Sequence, residues 1–404
     1  MTDNKTGMNL DRRIKRHVQG KTHTFFAVTA PGLEPLCQEE LLALGVPAGA
    51  LTVTQGGVLF QGRIHDCYQA NFTLRTANRV LMRIASFTAT NFRQLGKKLT
   101  ALPWELFVYE DAPVQIRASA RQSRLYHTEA VAEECEGAMA RRWDAVGGGA
   151  GEEADIARFP QQVFLRAVKD AFTVSIDSSG EMLYKRGLKT QGGRAPLRET
   201  TAAAVLAFAD YGGVEPLIDP MCGSGTFSLE AAMIADRIPA GFYRSFAFMG
   251  WPAFAPKRWH HIRRAAASEI VRRTDPVILA SDTVRKSCDA LSQVVSEQNL
   301  SGTISVVTKD FFDLSTTDLT ELRWGGKTGL IVMNPPYGRR LGTRRESETL
   351  FGEIGRKLQA DFKGWKIALI APKGHRPDSL PFSGKSRQLR HGGLTLTLVT
   401  GRIG

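Results

Sequence analysis

The second half of the chain alternates short apolar runs with helical patterns, and this alternation limits the possible folds more than any other feature of the sequence. The apolar runs begin after about residue 195; they are PLIDP, PVILASD, TISVVTKD, TGLIVMNPP and WKIALIAP. Such runs, separated by helices, are typical of a parallel sheet with helices on both faces. The HGG turn at 391–393 lies between two alternating runs and predicts an antiparallel hairpin at one edge. We therefore predict an α/β fold for residues 196–404.

The first half has the mixed pattern of a small α+β arrangement. TFFAVT and GGVLFQG predict strands, and the segment between them predicts a turn and an amphipathic helix. Further on we predict a strand at PVQIRASA and helices at HDCYQANFTLRT, NFRQLGKKLTAL and TEAVAEECEGAMARRW. Residues alternate between apolar and polar on both sides of DSSG at 177–180, which predicts a β-hairpin turning there. The glycine-rich stretch at 145–155 predicts a flexible loop or hairpin tip.

A glycine-rich turn joins the first apolar run of the second half to a helix, in LIDPMCGSGTFSLEAA. Backbone amides at such a helix N-terminus allow a ligand to approach closely. Gly223 and Gly225 fit a nucleotide-binding turn, but Ser228 stands where a dinucleotide fingerprint has its third glycine. Each Gly-Lys-Ser or Gly-Lys-Thr also lacks the upstream glycine of a Walker loop. S-adenosylmethionine therefore remains as the candidate ligand.

Three acids follow three successive apolar runs, where a nucleoside ligand would need them. We expect Asp219 to neutralise the ammonium group of the cofactor, and Asp282 to accept hydrogen bonds from both ribose hydroxyls. Asp310 would accept from the adenine amino group, and Phe311 would flank the ring. An Asp after a strand is also commonly a helix N-cap or a turn former, so each acid alone has a structural explanation. We interpret Cys222 as a small loop residue.

The stretch NPPY at 334–337 ends another apolar run and predicts the methyl-accepting site. An exocyclic amine conjugated to a ring is a poor nucleophile because its lone pair is delocalised. Two acceptors aimed at its protons, the Asn334 side-chain carbonyl and the Pro335 backbone carbonyl, would favour the transition state. Pro336 helps to fix the turn, and Tyr337 offers a face on which a flipped base can stack. The alternative is a tight strand-to-loop turn with a buried Tyr, which is common for Pro-Pro-Tyr in isolation.

Composition favours a polyanionic partner and disfavours a metal site. The chain has 53 Lys and Arg against 40 Asp and Glu, a formal net charge of +13, which suits nucleic acid or simply an ordinary basic protein. Its five cysteines are scattered without a Cys-x-x-Cys pair, and its eight histidines lack ligand spacing, so we expect no metal. No apolar run is long enough to span a bilayer and no signal-type segment opens the chain, so we expect a cytoplasmic protein.

From about residue 24 onward the chain resembles the THUMP-domain RNA methyltransferases, especially bacterial enzymes that methylate guanine N2 in large-subunit ribosomal RNA. The resemblance rests on APGLEPLCQEEL, LRTANRVLMRIASFTATNFRQL, PWELF, SRLYHTEAVAE, the segment IDSSGEMLYKRGLKTQGGRAPLRETTAAAVL, DPMCGSGTFSLEAA and NPPYG. It implies a Rossmann-like methyltransferase domain at 196–404, with a mostly parallel seven-stranded sheet. It also implies a ferredoxin-like part at 24–64, completed by roughly 160–195, and a THUMP RNA-binding domain at 65–160.

The resemblance also implies the site residues and the partner. The implied cofactor-binding residues are Asp219, Gly223, Gly225, Thr226, Asp282 and Asp310, and the target amine would meet Asn334, Pro335, Pro336 and Tyr337. Structured RNA would be held through phosphate and shape contacts.

Several departures and alternatives stay open at this point. Some relatives carry a second methyltransferase domain that this chain lacks, so we expect one modification. Residues 1–23 lie outside the resemblance, and we expect a basic, disordered extension there. Transfer RNA is an alternative substrate, DNA adenine methylation is disfavoured by the THUMP-like half, and a catalytically silent ribosome assembly factor would require a broken cofactor loop.

Overall fold

The structure is a computed structural model, and it describes residues 10–147, 159–188, 197–336, 344–373, 380 and 384–404. The chain divides into two compact units. The first lies within Met1–Thr29, Cys37–Leu183 and Arg244–Arg263, and the second within Ala30–Leu36, Tyr184–Tyr243 and Arg264–Gly404.

The first unit contains five helices and seven strands in its described part. In chain order they are helix α1 (10–19), β1 (His23–Thr29), α2 (Glu34–Ala43), β2 (Leu51–Thr54), β3 (Gly57–Gly62), α3 (Ile64–Thr73), β4 (Ala77–Thr88), α4 (Phe92–Thr100), β5 (Val114–Arg121), α5 (Thr128–Val146), β6 (Gln161–Val168) and β7 (Ala171–Asp177). Helix α2 begins at residues that belong to the second unit.

One sheet of seven strands, in the order β2-β3-β1-β4-β7-β6-β5, forms the centre of this unit. Only the β5–β6 pair is parallel among its described pairings. Strand β1 buries Phe25 and Ala27, and the Phe25 ring stacks on Phe60 of β3 at 5.1 Å. Alternate residues of a strand point to opposite faces, so this aromatic pair defines the core face of the sheet.

Strand β4 was not predicted, although it is the longest strand of the unit at 12 residues. It pairs with β1 on one side and β7 on the other, so the sheet continues across the predicted boundary at residues 64 and 65. The ferredoxin-like and THUMP parts proposed from the sequence therefore share one sheet.

The predicted hairpin exists, but its turn was placed wrongly. Strands β6 and β7 pair antiparallel, and the turn between them is Lys169-Asp170, with φ of 51° and 64°. Two consecutive positive φ angles match the twist of a two-residue hairpin turn. The DSSG segment instead follows β7, where Asp177 is fully buried and forms an ion pair with Arg79. The glycine-rich prediction at 145–155 lies mostly outside the described residues; α5 ends at Val146, and Gly147 is its C-cap residue.

The expectation of a disordered extension at 1–23 is wrong for residues 10–19, which form a helix. Helix α1 covers residues 10–19, and its last turn, Lys15–Gln19, is a π-helix. Ile14 and Val18, four residues apart on one face, are 6% and 0% exposed. Burial of these two apolar side chains stabilises helix α1, although the basic composition of the segment alone did not suggest a helix. Residues 1–9 lie outside the described residues.

Residues 244–263 interrupt the second unit in sequence but pack with the first. The Tyr68 ring of α3 stacks on Phe248 at 4.4 Å, and Trp259 meets Phe72 edge-on at 5.2 Å. Trp251 Nε1 donates to Gln161 Oε1 of β6 at 3.0 Å. This aromatic segment is therefore part of the core of the first unit.

The second unit contains the α/β alternation predicted from the sequence. Its elements in chain order are α6 (Glu199–Phe208), β8 (Leu217–Asp219), α7 (Thr226–Ala235), α8 (Pro256–Ser268, which begins in the first unit), β9 (Ile278–Asp282), α9 (Arg285–Glu297), β10 (Ile304–Thr308), α10 (Thr316–Glu321), β11 (Leu330–Met333), α11 (Arg344–Asp361), β12 (Lys366–Pro372), β13 (Gly384–His391) and β14 (Leu394–Arg402).

The seven strands of this unit form a sheet in the order β10-β9-β8-β11-β12-β14-β13. The first five strands pair in parallel, and β14 runs antiparallel to both of its neighbours, β12 and β13. Gly392 and Gly393, with φ of 54° and 85°, make the predicted turn between β13 and β14. Leu217 and Ile218 belong to different core clusters, as expected for a sheet covered on both faces. The predicted fold class is confirmed.

Candidate active site

The turn between β8 and α7 depends on two glycines for different reasons. Gly223 and Gly225 have φ of 51° and 72°, a region that side-chain-bearing residues rarely adopt. A Cβ at Gly225 would collide with the Leu291 side chain of α9, whereas a Cβ at Gly223 would meet open space. At position 225, glycine is therefore required both by the backbone conformation and by the close packing of Leu291. At position 223, glycine leaves one side of the turn open.

Asp219 lies at the end of β8, 1% exposed, and it supports the start of α7. Ser228 donates to Asp219 Oδ2 from its hydroxyl at 2.7 Å and from its backbone N–H at 3.2 Å. These bonds hold the first turn of α7 against the strand end. Ser228 was considered in the sequence only as a missing glycine, and its role as an anchor for Asp219 went unpredicted.

Asp282, at the end of β9, reaches the glycine turn, a contact that the sequence did not predict. Its Oδ2 accepts from the Gly223 N–H at 2.9 Å, and its Oδ1 accepts from the Val284 N–H at 2.9 Å. The Cys222 N–H also donates to the Ser281 carbonyl at 2.9 Å. These bonds place a half-exposed carboxylate beside the open side of the turn.

The Cys222 thiol is a buried structural group. Burial first, and then the charge of Asp219, raises its pKa well above the ordinary value. A thiol held in the protonated form is a weak nucleophile. The interpretation of Cys222 as a small loop residue agrees with this placement.

Asp310 and Phe311 follow β10, and the structure separates their roles. Asp310 Oδ1 accepts from the Phe312 N–H at 3.0 Å and caps a short 3₁₀-helix, Phe311–Asp313. Phe311 is 1% exposed, and its ring stacks on Phe362 with 6.2 Å between centroids. In this structure the Phe311 side chain lies in the core, which does not support the prediction that it flanks a ligand ring. Phe312 is the half-exposed ring of the pair.

Asn334 directly follows β11, the strand that pairs with β8. Its side-chain Oδ1 is buried and has no hydrogen-bond partner among the described residues. A buried acceptor without a donor costs about 1–3 kcal/mol, so such an atom suits a donor supplied by a ligand. Pro335 is buried and Pro336 half-buried, whereas Tyr337 lies outside the described residues.

Two features are absent from the described part of the chain. Among those residues, no group of three or more His, Cys, Asp or Glu side chains could hold a metal ion. Within the same ranges, no helix is both long and apolar enough to cross a membrane.

Comparison with known proteins places this geometry in a family. Residues 186–381 match the family model described as an RMKL-like methyltransferase domain, and residues 24–81 match the RlmL ferredoxin-like domain. The protein "Putative RNA methyltransferase YpsC" of Bacillus subtilis is 30% identical over 353 residues, covering 87% of this chain and 88% of YpsC. The chain belongs to the RMKL-like methyltransferase family. The predicted cofactor, S-adenosylmethionine, is confirmed by this family and by a similar methyltransferase structure that is complexed with SAH.

Other members of the family are about twice as long. The chain spans about half the length of two curated relatives named "Ribosomal RNA large subunit methyltransferase K/L". The one from Syntrophotalea carbinolica is 33% identical over 357 residues, 86% of this chain and 48% of the relative. The one from Methylococcus capsulatus is 32% identical over 358 residues, 86% of this chain and 47% of the relative.

Solved structures of similar chains agree with the fold. The crystal structure of SMU.472, which is complexed with SAH, has a TM-score of 0.83 at 26% identity and covers 95% of this chain and 99% of that one. A Listeria monocytogenes protein, named as a predicted N6-adenine-specific DNA methylase, also has a TM-score of 0.83, at 27% identity and 96% and 98% coverage.

Proposed function

We propose that this family member transfers a methyl group from S-adenosylmethionine to the exocyclic N2 amine of a guanosine in RNA. The observation that carries the proposal is the buried Asn334 Oδ1, an acceptor that lacks a donor among the described residues. An amine that donates to this oxygen would satisfy it, and the hydrogen bond would raise the electron density on the amine nitrogen. That nitrogen would attack the methyl carbon as the carbon–sulfur bond breaks and S-adenosylhomocysteine leaves.

The ends of β8, β9 and β10 would hold the cofactor. Asp219 would face the methionine ammonium, Asp282 the ribose hydroxyls, and Asp310 the adenine amino group. Gly223 has the open side that a close ligand requires. Gly225 and Thr226 begin α7, whose backbone N–H groups suit a polar ligand group.

The residues after β11 would hold the target base. Asn334 Oδ1 and the Pro335 carbonyl would accept hydrogen bonds from the two amine N–H groups, and Pro336 would hold the turn that aims these acceptors. Tyr337 would stack on the flipped base. No strong base is required, because the nitrogen becomes acidic once it carries the methyl group and can release its proton to water.

RNA is the polymer that charge and family favour. The formal net charge is +13, and two relatives carry names that specify large-subunit ribosomal RNA. We propose that residues 65–160 act as a THUMP domain that holds structured RNA through phosphate and shape contacts in the cytoplasm.

An assay with labelled S-adenosylmethionine tests the proposal. Ribosomal and transfer RNA would be purified separately from a strain lacking the gene, methylated with the full chain, and digested for nucleoside mass spectrometry. N2-methylguanosine in ribosomal RNA supports the proposal. Label confined to transfer RNA would keep the chemistry but contradict the substrate, and absence of label in both would favour a silent assembly factor.

A further inference from the structure

A cavity in the first unit is lined by basic side chains from separate elements. Its volume is about 360 Å³, within the range of small-ligand sites. Arg13 and His17 of α1, Lys21, His23 of β1 and Arg83 of β4 line it. The remaining lining residues are Ile84, Pro103, Leu106 and Phe107, so no acidic side chain of the described residues lines the cavity.

Arg83 is the residue that makes this cavity a candidate site. Its guanidinium lies over the Phe26 ring at 5.1 Å, which fixes the plane of the group. Its Nε is buried, and within the described ranges this donor has no hydrogen-bond partner. The pairing of β4 with β7 shifts register between Arg83 and Ala85, and such bulges re-aim side chains next to functional sites.

The surrounding charges leave the cavity positive. The nearby acid Glu105 accepts from Arg13 at 2.6 Å and from Arg142 at 2.7 Å, so its charge is already shared between two arginines. Burial and the positive charge of Arg166 lower the pKa of Arg83. An anion in the cavity would offset both effects, because an opposite charge favours the protonated guanidinium.

We propose that this cavity binds a phosphate group of the RNA substrate, with the Arg83 guanidinium as its main donor and Lys21 and His17 beside it. The inference deepens the proposed function and rests on RNA being the substrate. A guanidinium presents a planar fork that matches phosphate oxygens, and phosphate contacts position an RNA without reading its sequence. Helix α1, which lies outside the family resemblance, would then be part of the RNA-binding surface.

The first test observes Arg83 directly. The full chain labelled with ¹⁵N-arginine would be titrated with inorganic phosphate and, separately, with a structured ribosomal RNA fragment, and Arg83→Gln would assign the Nε–H signal. A saturable shift of that signal with both probes supports the proposal. A shift with inorganic phosphate alone would overturn RNA as the source of the phosphate, and no shift with either would overturn the site.

The second test compares matched cations on the same segment. Arg83→Gln and the exposed Lys21→Gln remove charge from the cavity, whereas Lys15→Gln and Arg16→Gln remove exposed charge from α1 without touching the cavity lining. Arg83→Gln should weaken RNA binding about tenfold or more, as expected for one charge-assisted hydrogen bond. It should also reduce the salt slope of binding by about one.

The outcome can be separated from failure of the proposed function. If the unaltered chain methylates RNA but all four variants bind RNA alike, the phosphate site is refuted and the function stands. If Arg83→Gln fails to fold, as judged by thermal unfolding, Lys21→Gln against Lys15→Gln still decides the question. If the unaltered chain neither binds nor methylates RNA, the proposed function itself fails.

Discussion

Replacing each of the two loop glycines with alanine separates the effect of backbone conformation from the effect of packing. Both positions have positive φ, which costs an alanine about 1–2 kcal/mol. At Gly225 the new methyl group would also meet Leu291, a core residue that is 2% exposed, and overpacking adds about 1–3 kcal/mol. We therefore expect Gly225→Ala to destabilise the protein by about 2–5 kcal/mol and Gly223→Ala by about 1–2 kcal/mol.

Urea unfolding and hydrogen exchange of the α7 peptide measure these effects globally and locally. A double variant adds a control for the contact. In a Leu291→Ala background the methyl group at position 225 has room, so Gly225→Ala should cost only about as much as Gly223→Ala does in the unaltered chain. Equal losses for the two single variants, or an unchanged cost in the Leu291→Ala background, would refute the packing argument. Gly223→Ala should also lower the affinity for the cofactor, because its methyl group would enter the open side of the turn.

Three further changes test other parts of the structure. Asn334→Ala should lower methyl transfer about 10²–10³-fold, as loss of one preorganised polar group does, and calorimetry should show unchanged cofactor affinity; the reverse pattern would contradict its assignment. For Glu105, burial would raise the pKa, but hydrogen bonds from two arginines outweigh it and the pKa lies below 4.5. The stabilising effect of ionised Glu105 is therefore complete above pH 4.5 and is lost as pH falls through the lowered pKa. Glu105→Gln should then flatten the acid dependence of thermal unfolding. An unchanged acid profile would argue against the ion pairs. Trp259→Ala should lower the free energy of unfolding by about 3–5 kcal/mol, because it leaves a cavity in the aromatic cluster at Phe72. Trp143→Ala, at a half-buried position, should lower it clearly less when both variants are unfolded in urea.

Local patterns were sufficient to predict the five parallel strands of the second unit, because each of them is a short apolar run ended by a loop signal. The glycine turn and the acids Asp219 and Asp282 were placed correctly for the same reason: in a parallel sheet, consecutive strand ends lie at one edge. What each carboxylate contacts was not predictable. The hydrogen bonds from Ser228 to Asp219 and from Gly223 to Asp282 depend on the fold of the loop itself.

The errors arose where tertiary contacts decide between local patterns. Strand β4 mixes arginines with apolar residues and gains its stability from pairing on both sides, which propensity does not report. DSSG has strong turn chemistry, yet Lys169-Asp170 makes the hairpin turn. Phe311 was assigned to the ligand because it follows an acid, but its neighbour Phe362 is distant in sequence and buries it.

The segment 244–263 shows a further limit of the sequence. Its aromatic residues lie between α7 and β9 in the sequence, and nothing local indicated that they pack with α3 of the first unit. The density of aromatic residues was the available signal, because exposed loops seldom carry so many.

Nucleoside analysis of RNA methylated by the full chain tests the central claim most directly. With ribosomal RNA from a strain lacking the gene and labelled S-adenosylmethionine, we predict label in N2-methylguanosine, and we predict that the label is lost with Asn334→Ala. Label in N6-methyladenosine, or a fully active Asn334→Ala variant, would contradict the proposed chemistry at the end of β11.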